Sequence, residues 1–148
     1  MIVYHPLHDL YHCIYRITGL IQFLPDKEFS DIRLKIYDYY LLFPHELKKI
    51  TLPRHLQKYK RLGENKYYYP EVNKSVFFEL NGIQDEALRL IGTYGIIDLK
   101  LFINKDIIKK KEKETLFAID EEQNPVLVLF LEYFEKLSDE ELVKKIKV

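Results

Sequence analysis

Between Pro6 and Leu24 the positions Leu7, Leu10, Tyr11, Ile14, Ile17, Thr18, Ile21 and Leu24 recur at intervals of three and four, the spacing that holds side chains on one face of an α-helix. Pro6 suits the first helical position, where a missing N–H breaks no bond, and Pro25-Asp26 ends the run. Ser30 then offers a cap for a second helix reaching about Phe43. The pattern there is double. Ile32-Arg33-Leu34-Lys35-Ile36 alternates as a strand would, yet the stretch runs on without Gly or Pro for longer than an ordinary strand. From Ile36 to Phe43 it is apolar on nearly every side except Asp38, which predicts a helix at the centre of the domain.

After Pro44 a short helical turn is predicted through Lys49. From Arg54 to Pro70 no usable period appears, and the segment reads as a loop or short helix with a polar surface. Asn73 or Ser75 can cap a helix over Val76 to Leu80, Asn81-Gly82 reads as a turn, and a third clear helix spans Ile83 to about Tyr94, with Gly95 at the left-handed position beyond its end. Ile97 to Ile103 alternates like a strand, Asn104-Lys105 can turn, and Asp106 to Lys111 can return as a second strand. Helix, glycine, strand, turn, strand is the order of a winged helix. Pro125 opens another helix with Leu127, Phe130, Leu131, Phe134 and Leu137 inward, and Ser138 with Glu141 forms a capping box for a terminal one. The expected class is mainly α (α+β): one domain over residues 1–148, helical in about 1–50, winged-helix-like in about 73–112, with C-terminal helices in about 123–147. Neither an internal repeat nor a flexible linker interrupts it.

The 148-residue length, with 47% hydrophobic residues, supports a real core. Twelve Tyr and nine Phe can fill that core, or can bury their rings while leaving a hydroxyl for a partner. Lys plus Arg and Asp plus Glu both number 23, so no long-range field draws the chain to nucleic acid or to an anionic membrane, and only a local patch can do so. A single cysteine, Cys13, excludes an internal disulfide, and no apolar stretch approaches the roughly 18 residues of a membrane helix. The expected setting is the cytoplasm, away from membranes.

Candidate chemistry is sparse. His8 and His12 lie one helical turn apart beside Asp9 and His5, but the Glu of a His-Glu-x-x-His site is missing and a zinc site needs a third or fourth ligand. Ser30, Ser75 and Ser138 sit where caps are wanted, no Gly-x-Ser-x-Gly elbow exists, and no phosphate-cradling Gly-x-x-x-x-Gly-Lys loop is present. Cys13 reads as a buried, inert thiol. The expectation is a non-enzyme without cofactor, metal or small-molecule substrate. Arg54, Lys58, Lys60 and Arg61, near Tyr59 and Tyr67 to Tyr69, form the best nucleic-acid candidate, and Lys109, Lys110 and Lys111 in the expected wing form a second. Arg33 and Asp38, five apart in the most apolar element, need partners elsewhere, either within the chain or on another one.

Tyr4-His5-Pro6-Leu7-His8-Asp9 with Arg16, the stretch Arg33 to Pro44, Tyr69-Pro70, Ile83-Gln84 and Gly95-Ile96-Ile97-Asp98 together resemble the middle component, fifth class, of bacterial ABC-three-component defence systems, to which the Lamassu systems are related. The resemblance implies a small helical, winged-helix-like subunit encoded between a large ATPase resembling the structural-maintenance-of-chromosomes and DNA-repair ATPases and an effector. It implies a non-catalytic adaptor coupling the two, with DNA reached through the complex. His8, His12, Arg16, Tyr39, Tyr40, Phe43 and His45 are the candidate partner interface. The competing expectation is a stand-alone winged-helix DNA-binding protein.

Overall fold

The computed structural model describes residues 6–61, 74–111, 119, 121, 122 and 124–146. A 3-10 turn, Pro6–His8, leads into helix α1, Leu10–Phe23. Asp9 caps it by accepting a hydrogen bond from the His12 N–H at 3.1 Å, which satisfies one of the first turn's orphan donors. Cys13, Ile17, Leu20 and Ile21 face inward, whereas Tyr11, which the spacing placed on the apolar stripe, stands 82% exposed.

The two-residue strand β1, Phe29–Ser30, runs directly into helix α2, Asp31–Leu42, whose Arg33 N–H donates to Ser30 Oγ at 3.2 Å. Eight of its 12 residues are buried, so α2 occupies the centre as its composition predicts, with only Ile32, near its start, exposed. Pro44 stops it and starts a 3-10 stretch, Pro44–Lys49. A second 3-10 stretch lies at Arg54–Arg61.

Helix α3, Lys74–Thr93, passes through Asn81-Gly82 without a turn. Leu80, Gln84, Ala87, Leu88 and Ile91 form one continuous buried stripe at spacings of three and four. That packing outweighs the roughly 1 kcal/mol that a mid-helix glycine costs, and Gly82 itself faces open space. Gly95 takes the left-handed conformation expected of it, with φ of 82°.

Beyond Gly95 the chain departs from the winged-helix-like order. Where a first wing strand was expected, Asp98 accepts from the Leu101 N–H at 3.1 Å and caps helix α4, Leu99–Lys105, which closes at Asp106 in the left-handed region. A cap at one end and a left-handed residue at the other decide a segment whose alternation fitted either conformation. The return strand is real but short: β2, Ile107–Ile108, pairs antiparallel with β1, Phe29 opposite Ile108 and Ser30 opposite Ile107. Beyond it, Ile97 and Lys110 form an isolated antiparallel bridge.

Helix α5, Val126–Glu132, a 3-10 turn at Phe134–Lys136 and helix α6, Asp139–Lys145, complete the described chain. Ser138 and Glu141 form the expected capping box. Against α2 the Tyr37 ring stacks on Phe130 at 4.5 Å, Tyr40 meets Phe134 at 5.7 Å, and Tyr39 meets Phe77 of α3 edge-on at 5.4 Å. Each fully buried large side chain contributes about 1.5–3 kcal/mol, and an aromatic pair adds about 0.5–1.5 kcal/mol. The aromatic load of α2 therefore goes into cohesion. Among the described residues the fold is mainly α with one small two-stranded sheet.

Candidate interaction surfaces

The candidate interface residues divide sharply once placed. Tyr39, Tyr40 and Phe43 are each 1% exposed, so their assignment to a partner surface is corrected: they are core, because Phe77 of α3 and Phe134 close over this end of α2. Arg16 is also buried and serves an internal ion pair. Its Nε donates to Asp38 Oδ1 at 2.7 Å and its Nη2 to Asp38 Oδ2 at 3.1 Å, a two-pronged contact. Gln84 of α3 donates to the same Oδ2 at 2.8 Å and to the Lys35 carbonyl at 3.1 Å. Three helices are thus tied at one carboxylate. The need of Asp38 for a distant partner was legible in the sequence; its identity was not, because Arg16 lies 22 residues away.

Arg16 Nη1 also meets His12 Nδ1. A guanidinium can only donate, so Nδ1 accepts and the imidazole carries its proton on Nε2. Burial lowers the His12 pKa first, the Arg16 charge lowers it further, and Asp9 and Asp38 act in the opposite direction. A histidine held below its unfolded value of 6.5 contributes stability that is present above that value and is lost as pH falls through the folded pKa. The expected result is a His12 titration midpoint below 6.5 by NMR and a lower Tm at pH 5 than at pH 7, with part of that difference removed by His12→Gln. A midpoint at or above 6.5 would contradict the contact with Arg16. Beside it Cys13 is fully buried, its thiol pushed up to about 12 chiefly by burial, which makes it inert.

His8 is exposed, and His45 is half-buried with its ring edge-on to Phe43 at 6.0 Å. His45 Nε2 lies 3.6 Å from buried Glu46, which also holds Lys49 at 2.8 Å. Among the described residues no three His, Cys, Asp or Glu side chains converge as a metal site would require. Of the basic candidates, Arg54, Lys58 and Arg61 are exposed and Lys60 is half-buried; Lys109 and Lys111 are exposed and Lys110 is half-buried. Tyr67 to Tyr69 lie outside the described residues, as does His5.

Two surfaces escaped the periodicity. Tyr11 and Tyr15, 82% and 54% exposed, project from the outer face of α1 one turn apart, close in sequence to exposed His8. Separately, Ile32 and Ile36 of α2, Lys74, Phe77 and Phe78 of α3, Val143 of α6 and Ile146 just beyond it line a largely apolar cleft of about 380 Å³. Phe78, 78% exposed, is its most prominent ring. Only an accounting of which apolar residues α1 and α3 could not bury would have found either.

With no catalytic constellation among the described residues and the exposed features suited to contact, the decisive observation is a match of residues 2–140 to the family described as ABC-three component (ABC-3C) system Middle Component 5. The chain belongs to this family. The match spans α1 to the start of α6, so all the surfaces described above fall within the family region or at its edge. Comparison with curated proteins and with solved structures finds no match. No helix among the described residues is long and apolar enough to cross a membrane.

Proposed function

We propose that the chain is a non-catalytic, cytoplasmic accessory subunit of a bacterial antiphage defence complex, coupling an ATPase of the structural-maintenance-of-chromosomes type to an effector, as in the related Lamassu systems. The observation that carries this reading is the family match over residues 2–140, a middle component of a three-component system. The surfaces support it. A subunit acting by contact needs exposed aromatic anchors on a rigid support, and Tyr11 and Tyr15 stand on a helix locked in place by the Arg16–Asp38 pair. They replace Tyr39, Tyr40 and Phe43 as the aromatic part of the interface, with His8 beside them.

Co-expression of the tagged chain with the products of its adjacent genes tests the reading. The expected result is a stable complex, and Tyr11→Ala with Tyr15→Ala is expected to weaken it at least tenfold, which corresponds to about 1.4 kcal/mol, without a change in Tm. Elution of the tagged wild type alone would overturn the proposal. The stand-alone winged-helix reading draws no support from residues 97–103, where α4 takes the place of the required strand.

A further inference from the structure

Between Glu46 and Glu64 the chain carries six Lys and Arg residues and not one acid, in a protein whose formal charge is zero. Four of the six fall within the 3-10 stretch Arg54–Arg61, and its geometry sorts them. A 3-10 helix has three residues per turn, so side chains three apart eclipse one another. Leu56 and Tyr59 form the inward row, buried against the core. His55, Lys58 and Arg61 form a second row and are all exposed; Arg54, Gln57 and Lys60 form the third, beside it. The period of three explains why the segment showed neither a helical nor a strand pattern. It also makes a ridge: at about 2.0 Å of rise per residue, Lys58 and Arg61 stand roughly 6 Å apart along one row and Arg54 and Lys60 roughly 12 Å apart along the other.

The ridge is tied to the body of the fold, and its charges are free of carboxylates among the described residues, although the Lys58 ammonium lies over the Tyr59 ring at 5.3 Å. Gln57 Nε2 ties back to the Leu52 carbonyl at 2.6 Å, and Lys145 of α6 reaches the Thr51 carbonyl at 3.2 Å, bringing a further cation to the foot of the stretch. Elsewhere Arg16, Lys27, Arg33, Lys35, Lys49 and Lys109 are all in ion pairs. Among the described residues no carboxylate pairs with Arg54, Lys58, Lys60 or Arg61, although Glu132 and Glu121 influence Tyr59. None of the exposed large apolar side chains lies between Thr51 and Arg61. Protein interfaces are built on a desolvated apolar centre poor in charge, which the ridge lacks. Two adjacent files of cations without such a centre suit a partner that is itself a line of negative charge.

We propose that the Arg54–Arg61 ridge binds the phosphodiester backbone of nucleic acid without reading sequence. One strand of a duplex presents a phosphate every 3.4 Å or so of axis, so the four cations can engage three or four successive phosphates. This inference does not rest on the coupling role proposed above, and a failed co-purification would leave it standing.

Fluorescence anisotropy of the full chain with a labelled 20-bp duplex of arbitrary sequence, from about 50 to 200 mM salt, reads it directly. The expected log-log salt slope is about −3.6 for four contacts, at about −0.9 per phosphate. Arg54→Gln, Lys58→Gln and Arg61→Gln together are expected to weaken binding at least tenfold and to shrink the slope by about 2.7. Arg89→Gln, Lys100→Gln and Lys105→Gln, an equal loss of charge from exposed sites elsewhere, should leave affinity within about twofold. Absence of binding at 50 mM salt, an unchanged ridge variant, or equal weakening by both triple variants would each overturn the proposal. So would a ridge variant that keeps its duplex affinity but loses a protein component of the complex, since the ridge would then fit an acidic protein face.

Discussion

Replacing Asp38 with Ala is expected to lower the unfolding free energy by about 3–5 kcal/mol, the range for removing one partner of a buried ion pair. The carboxylate is 0% exposed and receives both prongs of Arg16 together with the Gln84 amide. Its removal leaves a guanidinium buried without its counter-charge and loosens α1 and α3 from α2 at once. Urea unfolding followed by far-UV circular dichroism measures the change. Arg16→Met with Asp38→Leu is expected to recover much of the loss, because the penalty lies in the orphaned charge and not in the missing attraction. A loss below about 1 kcal/mol for the single Asp38 variant would mean that the carboxylate does not tie the three helices together.

Arg33→Met is expected to cost about 2–4 kcal/mol and to act locally. Arg33 gathers the C-terminal part onto α2: Nε donates to Asp139 at 2.9 Å, Nη1 to the Phe134 carbonyl at 2.7 Å and to the Tyr37 hydroxyl at 2.9 Å, and Nη2 to the Leu137 carbonyl. Tyr37 passes the link on, its hydroxyl donating to Glu135 at 2.6 Å; burial, with Glu135 next, pushes its pKa up and keeps that proton in place. Methionine fills the volume but takes the guanidinium from the part-buried Leu137 carbonyl and leaves the Phe134 carbonyl with only the Leu137 N–H. Hydrogen exchange is expected to accelerate in α6 before it does in α1 or α3. Lysine is not a substitute, since one ammonium cannot reach acceptors spread around a planar fork. Uniform acceleration across all helices would show that Arg33 supports the whole core and does not serve as the clasp of its C-terminal edge.

How much of this was legible depends on which force decided each segment. Where a cap stood before a run that no Gly or Pro interrupts, as at Ser30 before α2 and Ser138 before α6, the chain declared itself. It misled where local and tertiary terms competed. Asn81-Gly82 reads as a turn on local grounds, yet α3 continues because Leu80, Gln84 and Ala87 must share one buried stripe. Ile97 to Ile103 alternates, yet Asp98 and Asp106 impose a helix between them. Among the site candidates, the chemistry of α2 was read correctly as needing partners for Arg33 and Asp38, and both partners proved internal. The interface residues were misplaced because a tyrosine looks the same in sequence whether its ring ends in the core, as in Tyr39, or in solvent, as in Tyr11.

The clasp at Arg33 also has a timetable. Its acceptor Asp139 lies 106 residues further along the chain, and at about 5–20 residues per second of synthesis the gap between the two is roughly 5–20 s. Throughout that interval a newborn α2, rich in tyrosine and leucine, waits on the ribosome without the segment that will roof it. Any helper that shields nascent chains would find its natural grip there.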